Sequence, residues 1–240
     1  MELAPGIRRV GSDSIVNSYL VEEGGEVTVI DAGAPGLWSL VPRELEAMGR
    51  RLDDVRAIVL THGHTDHVGF AERARRERGW PVLVHEADED LATGRRKNTP
   101  AKVRMKLGPM LGFGWWGARR GLLRVPPLVE VSTFGDGATL DLPGSPRVIL
   151  VPGHTPGSAA LHVASRDALF VGDAIATYSV NDGYRGPRMA AFGADYSQAR
   201  ESLDRLRGIA ARMVLPGHGD AFTGGVDEAV RLAREAPFPG

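Results

Sequence analysis

Short apolar runs alternate with longer stretches of mixed polarity along this chain, a rhythm of strands separated by turns and helices. Ser14 to Val21 and Val27 to Ile30 are β-branched runs joined by a Glu-Glu-Gly-Gly turn, which predicts a hairpin. A helix is expected over Trp38 to Gly49, and the apolar run Ala57 to Leu60 predicts a buried strand. A charged helix over Phe70 to Arg78 follows, then a strand over Pro81 to His85 and a short helical piece from Glu86 to Leu91. Strand patterns return after Val129, at Thr139 to Leu142, Arg147 to Val151, Ala159 to Val163, Ala168 to Val171 and Met213 to Leu215. Ala199, Leu203, Leu206 and Ile209 recur at helical spacing inside Tyr196 to Ala211, and Val226 to Glu235 forms a last helix. Strands interleaved with helices predict an α/β architecture.

Four of these strands end in the same device, a glycine-containing turn that carries histidine or aspartate. The richest is Thr61-His62-Gly63-His64-Thr65-Asp66-His67, directly after the Ala57 to Leu60 strand. Residues i and i+2 of a strand share a face, so His62 and His64 aim two imidazoles at one point, with Asp66 and His67 following on the turn. Packing gives no reason to group so many polar side chains, because burying them without partners is costly. A metalloprotease helix needs its histidines four apart with a glutamate beside the first. His64 and His67 are three apart with no Glu between them, which excludes that motif. The other devices are His154 in Pro-Gly-His-Thr-Pro-Gly-Ser, Asp173 in Gly-Asp-Ala and His218 in Pro-Gly-His-Gly. Turns distant in sequence converge when strand ends lie side by side. Seven nitrogen and oxygen donors exceed one tetrahedral zinc and suit two metals sharing a hydroxide. On this reading His62, His64 and His154 hold one ion, Asp66, His67 and His218 the other, and Asp173 bridges them. Asp31, closing the Val27 to Ile30 strand, either caps its turn or bonds a ligand histidine; His85 reads as structural.

Composition narrows the chemistry further. The 240 residues contain no cysteine, so thiolate sites are excluded and the ions are expected to be two divalent cations, Zn2+ first, with Fe or Mn also suited to imidazole and carboxylate. A net charge of -1 gives no global attraction to nucleic acid. No stretch reaches the length of a membrane span and no leader pattern opens the chain, so a cytoplasmic location is expected. One segment departs from the average. Leu91 to Val129 holds Arg95, Arg96, Lys97, Lys102, Arg104, Lys106, Arg119, Arg120 and Arg124 but no acidic residue, with Trp115, Trp116 and Phe113 set among glycines. A connection this long and biased is expected to be a functional insertion at about 91–129. As a lid it would line the substrate pocket with Trp115 and Trp116; the alternatives are a homodimer contact or a membrane-touching patch.

The cluster HGHTDH, the His of PGHTPGS, the Asp of VGDA and the His of LPGHG together resemble the signature of the metallo-β-lactamase superfamily of hydrolases. The resemblance implies a single domain over 1–240 with a four-layer αββα sandwich, its two metals at one edge between the sheets. It also implies a small-molecule hydrolase in which a metal-bridging hydroxide cleaves an ester, lactone, thioester or related acyl bond, with Asp66 orienting the nucleophile. True β-lactamases of this fold lack the bridging aspartate, so Asp173 argues against that activity. Related lactonases place a tyrosine after that aspartate, for which Tyr178 and Tyr184 are candidates. Alternatives within the same scaffold are a phosphodiesterase or nuclease, and a sulfur dioxygenase with one iron.

Overall fold

The computed structural model describes residues 1–97 and 99–239. Its first sheet has seven strands in sequential order: β1 (Glu2–Ala4), β2 (Ile7–Arg9), β3 (Tyr19–Glu23), β4 (Glu26–Ile30), β5 (Val55–Val59), β6 (Val82–His85) and β7 (Ser132–Phe134). The pairing is antiparallel through β4 and parallel from β4 to β7. The second sheet is built from β8 (Arg147–Leu150), β9 (Ala159–Val163), β10 (Ala168–Gly172) and, beyond a small hairpin of β11 (Ala176–Tyr178) and β12 (Arg185–Arg188), β13 (Met213–Pro216). Its order is β13-β10-β9-β8, with β10 and β13 parallel.

Period-two alternation separates the core into three layers. Val27 and Val29 of β4 pack toward α1 (Val41–Glu46), while Ile30 joins Tyr19, Val21 and Val59 between the sheets. In the second sheet Phe170, Leu161 and Leu215 face the first sheet. Leu169, Val171 and Val214 face outward, toward Ala199 and Leu203 and toward Ala229 and Val230. Strands buried on both faces read as continuous apolar runs. Helix, sheet, sheet, helix is therefore the order of layers, the αββα sandwich expected from the sequence.

Several boundaries differ from the periodicity. The charged helix has the expected limits to within a residue, as α3 (Ala71–Arg78), and a separate turn of helix, α2 (Thr65–Val68), precedes it; Gly69 between them lies so close to the Gly33 carbonyl that a Cβ there would sit 1.9 Å from its oxygen. Glu89–Ala92 forms α4. The helix expected from Trp38 is a 3₁₀ turn over Pro35–Leu40 followed by α1. Thr139 to Leu142 is not a strand: Thr139 makes one isolated bridge to Arg147, and the chain folds back at once through Ser145, whose φ is 42°. The helix expected to reach Ala211 is α6 (Tyr196–Ser202), continued as a 3₁₀ turn to Leu206; Gly208 then takes a φ of 74° and ends it. The last helix, α7 (Val226–Glu235), has the expected limits. The basic segment, expected as an insertion, is the crossover from β6 to β7 and carries the helix α5 (Leu107–Arg119). Among the described residues no helix is long and apolar enough to cross a membrane.

Phe170 joins the two sheets, fully buried with its ring edge-on to Tyr19 at 5.3 Å. Phe170→Ala is expected to cost about 3–5 kcal/mol of stability, read from urea denaturation midpoints.

Candidate metal centre

All the histidine and aspartate turns open at one rim of the sandwich. Parallel pairing is the reason: β4 and β5 run together, so Asp31 and the Thr61–His67 turn leave adjacent strand ends, and β10 and β13 deliver Asp173 and His218 side by side. His154 comes from the turn after β8, and Ala159 N–H donates to Thr61 C=O across the seam at 2.9 Å.

Three groups of donors have atoms within 4.8 Å of one another: His62, His64 and His154; His62, His67 and Asp173; and Asp66, His67 and His218. The first and last share no residue, and the middle one links them. Asp173 is placed between, its Oδ2 3.2 Å from His154 Nε2 and 3.3 Å from His218 Nε2, its Oδ1 3.5 Å from His67 Nε2. The His62, His64 and His154 rings stand edge to face at centroid separations of 4.7–4.8 Å. His62 Nε2, His67 Nε2 and Asp173 Oδ1 are buried without a hydrogen-bond partner among the described residues, a costly arrangement that metal coordination would relieve. Gly217 leaves the room: a Cβ on it would lie 2.2 Å from Asp173 Oδ1 and 2.5 Å from His67 Cε1. The donor set fits metal ions.

Electrostatics divide the imidazoles. Burial, with neighbouring imidazoles adding to it, holds His62 well below its usual range, and burial brings His154 down to about 3, so both offer lone pairs at neutral pH. Burial acts the same way on His67, but the carboxylates of Asp31 and Asp173 outweigh it and raise the group to about 10. Asp173 is held well below the usual carboxylate range, because the charges of His218, His67 and His154 overcome its burial.

Two buried carboxylates aim the ligand turns. Asp31 sits at a φ of 57°, which turns its side chain back under the cluster. Its Oδ1 accepts Thr61 N–H at 2.7 Å, and its Oδ2 accepts Thr61 Oγ1–H at 2.8 Å and His67 Nδ1–H at 2.9 Å. Of the two roles open to Asp31 in the sequence, the bond to a histidine of the cluster is the one formed. Asp88 is the residue sequence reasoning missed. Its Oδ2 accepts from Gly63 N at 2.9 Å and Thr155 Oγ1 at 2.6 Å, and its Oδ1 from Gly157 N at 2.8 Å. It thereby ties the His62/His64 turn to the His154 turn. His218 is fixed from the other side, donating Nδ1–H to Ile15 C=O. His85 is structural as expected: its Nδ1 accepts from Ala87 N–H and its ring edge meets Phe134.

A cavity of about 550 Å³ opens over the cluster, reaching His64, Asp66, His154, Asp173 and His218. Its walls are Leu91, Phe113, Leu122, Tyr178 and Phe192, with Arg96 and Lys97 also at its lining. Trp115 and Trp116 do not line it. Helix α5 turns Phe113 inward, 6.4 Å from the His218 ring, which leaves Trp115 68 % exposed beneath the Arg119 guanidinium. Trp116 donates Nε1–H to Asp13. Tyr178 is at the cavity; Tyr184 instead lies under the Arg188 guanidinium.

A cluster of histidine and aspartate donors at strand ends, set between two sheets with helices outside them, defines a metallo-hydrolase of the αββα class. Residues 11–218 match the metallo-beta-lactamase superfamily, and the chain belongs to it. It is 28% identical over 235 residues to the probable metallo-hydrolase YflN of Bacillus subtilis, covering 93% of this chain and 87% of that one. Over 236 residues it is 32% identical to the human acyl-coenzyme A thioesterase MBLAC2, covering 92% of this chain and 78% of that one. The crystal structure of the metallo-beta-lactamase family protein TTHA1429 from Thermus thermophilus superposes with a TM-score of 0.70 at 24% identity, over 98% of this chain and 80% of that one.

Asp31→Ala strands three buried donors, each costing about 1–3 kcal/mol, and releases the His67 ring. It is expected to lower the melting temperature and to weaken metal binding about 10–100-fold, measured by elemental mass spectrometry after dialysis against graded chelator.

Proposed function

We propose that the chain acts as a single domain and hydrolyses a thioester or a related acyl ester, holding two divalent metal ions, zinc by preference, in the seven-residue cluster. The observation that carries this reading is the pair of donor groups, His62/His64/His154 and Asp66/His67/His218, that share no member yet meet at Asp173. One ion needs three or four such donors; seven in contact suit two. Two ions in such a site supply a hydroxide nucleophile at neutral pH and an electrophile for the scissile carbonyl. Iron or manganese would be accepted by the same nitrogen and oxygen set.

The remaining work falls to side chains of the chain itself. Asp66 reaches from the first turn of α2 to within 3.4 Å of His218 Nε2 and borders the cavity, a position from which it orients the nucleophile and passes its proton to the leaving group. Leu91, Phe113, Leu122 and Phe192 offer an apolar wall to an acyl chain, and the volume suits a small organic group. Tyr178 presents a phenol to the same space. Arg96 and Lys97 are placed to attract an anionic leaving group, as a coenzyme A thiol would carry. The similarity to a named acyl-coenzyme A thioesterase supports that choice among acyl substrates.

Steady-state assays on acyl-coenzyme A thioesters, simple lactones, bis-p-nitrophenyl phosphate and a β-lactam test the reading. Thioester or ester turnover, lost on chelation and restored by zinc, is the expected result; phosphodiester cleavage alone would overturn it. His62→Ala and Asp173→Ala are each expected to lower kcat by at least about a thousandfold while the circular dichroism spectrum persists. Asp66→Asn keeps an oxygen donor but removes the proton acceptor, and a loss in kcat of about 10²–10⁴-fold is expected.

A further inference from the structure

The outer face of α5 carries chemistry that the metal site does not use. Leu107, Leu111 and Trp115 are four residues apart, so each is displaced by only about 40° from the last and the three form one stripe along a helix of 13 residues. They are 76 %, 63 % and 68 % exposed, and Met105 and Leu123, 62 % and 82 % exposed, extend the patch at either end of the helix. Phe113, two residues on from Leu111, projects to the opposite side and into the cavity. One short helix therefore presents an apolar stripe outward and a cavity wall inward.

Charge indicates what the stripe meets. Lys102, Arg104, Lys106, Arg119 and Arg124 flank it, all exposed and none in an ion pair among the described residues. Arg120, by contrast, is taken up by Asp13. No acidic residue lies anywhere between Leu91 and Val129. A second copy packed about a twofold axis would set this patch against itself and bring like charges together with no carboxylate in the segment to answer them. A soluble anion would satisfy the cations alone, and nucleic acid the cations and, by stacking, Trp115, but neither would cover Met105, Leu107, Leu111 and Leu123. An anionic lipid surface satisfies both, with apolar side chains entering the acyl boundary and cations at the headgroups.

The geometry points to α5 as a docking face for an anionic bilayer, with the helix's opposite side, through Phe113, forming part of the cavity wall. The backbone supports a fixed orientation for the segment: Ala101 N–H donates to Gly193 C=O, Arg104 N–H to Pro239 C=O and Lys106 N–H to Asn181 C=O, so the chain entering α5 is pinned across the second half of the molecule. The inference stands apart from the reaction proposed above, since its test reads lipid binding alone.

Sedimentation of the full chain with phosphatidylglycerol-containing vesicles, and with pure phosphatidylcholine vesicles for comparison, tests it. Binding to the anionic vesicles that weakens as salt is raised is expected. Leu111→Asp should weaken binding about tenfold, and Lys102→Ala and Arg104→Ala about fivefold each, with melting temperatures unchanged because these side chains are exposed. Failure to sediment with either vesicle at low salt overturns the inference, as does equal binding to both or undiminished binding of Leu111→Asp. A dimer in sedimentation velocity that Leu111→Asp disperses, without vesicle binding, assigns the face to a second copy instead.

Discussion

Gathering seven metal-capable donors, six of them buried, at the seam of two sheets is the constraint that the rest of this molecule answers. Each imidazole and carboxylate brought out of water needs a partner on every polar atom, and an ion can satisfy only one atom of each ring. For His62, His67 and His218 the second ring nitrogen is met by a protein group, whereas His154 Nδ1 is buried without one among the described residues. Asp31 takes His67 and the backbone behind His62, Ile15 takes His218, and Asp88 holds the turns on either side of His154 and His64. The sheets are consequently joined at their rim by directed bonds and in their middle by the apolar contacts of Phe170, Tyr19 and Leu161. Gly217 and Gly69 belong to the same requirement, because turns that approach a cluster or another turn this closely leave no space for a side chain.

What the sequence made legible follows from the range of the interactions involved. The candidate donors that the structure brings together could be read because strand-then-turn segments are local patterns, repeated four times with the same residue types. The αββα layering could be anticipated from the resemblance of those motifs, and the continuous apolar runs of β5 and β10 agree with burial on both faces. Asp88 could not be read, since nothing in Glu86-Ala87-Asp88 distinguishes a buried carboxylate from a solvated one; its partners lie 25, 67 and 69 residues away. Helix α5 was hidden for another reason. Gly108, Pro109, Gly112, Gly114 and Gly117 give it poor intrinsic propensity and interrupt its apolar period, so neither the helix nor the side on which its tryptophans stand could be anticipated.

The same helix shows how a connection gains a role from where it is inserted. Parallel strands β6 and β7 need a crossover, and most crossovers simply cover a sheet. This one contributes Phe113 to the cavity wall and sets Trp116 and Arg120 on Asp13, a residue of the segment that also supports His218 through Ile15. Cavity wall and donor cluster thus rest on one short stretch of chain.

That stretch also sets when the centre is completed. Residues 14–19 clasp the His218 turn through Ser14, Ile15, Asn17 and Tyr19, with bonds that close loops of about two hundred residues. A growing chain that has displayed His62, His64 and His67 already carries the Ile15 carbonyl but still lacks the His218 that this carbonyl aims. The cluster is therefore complete only once the strand that carries His218 has been made and its turn has closed onto residues 14–19.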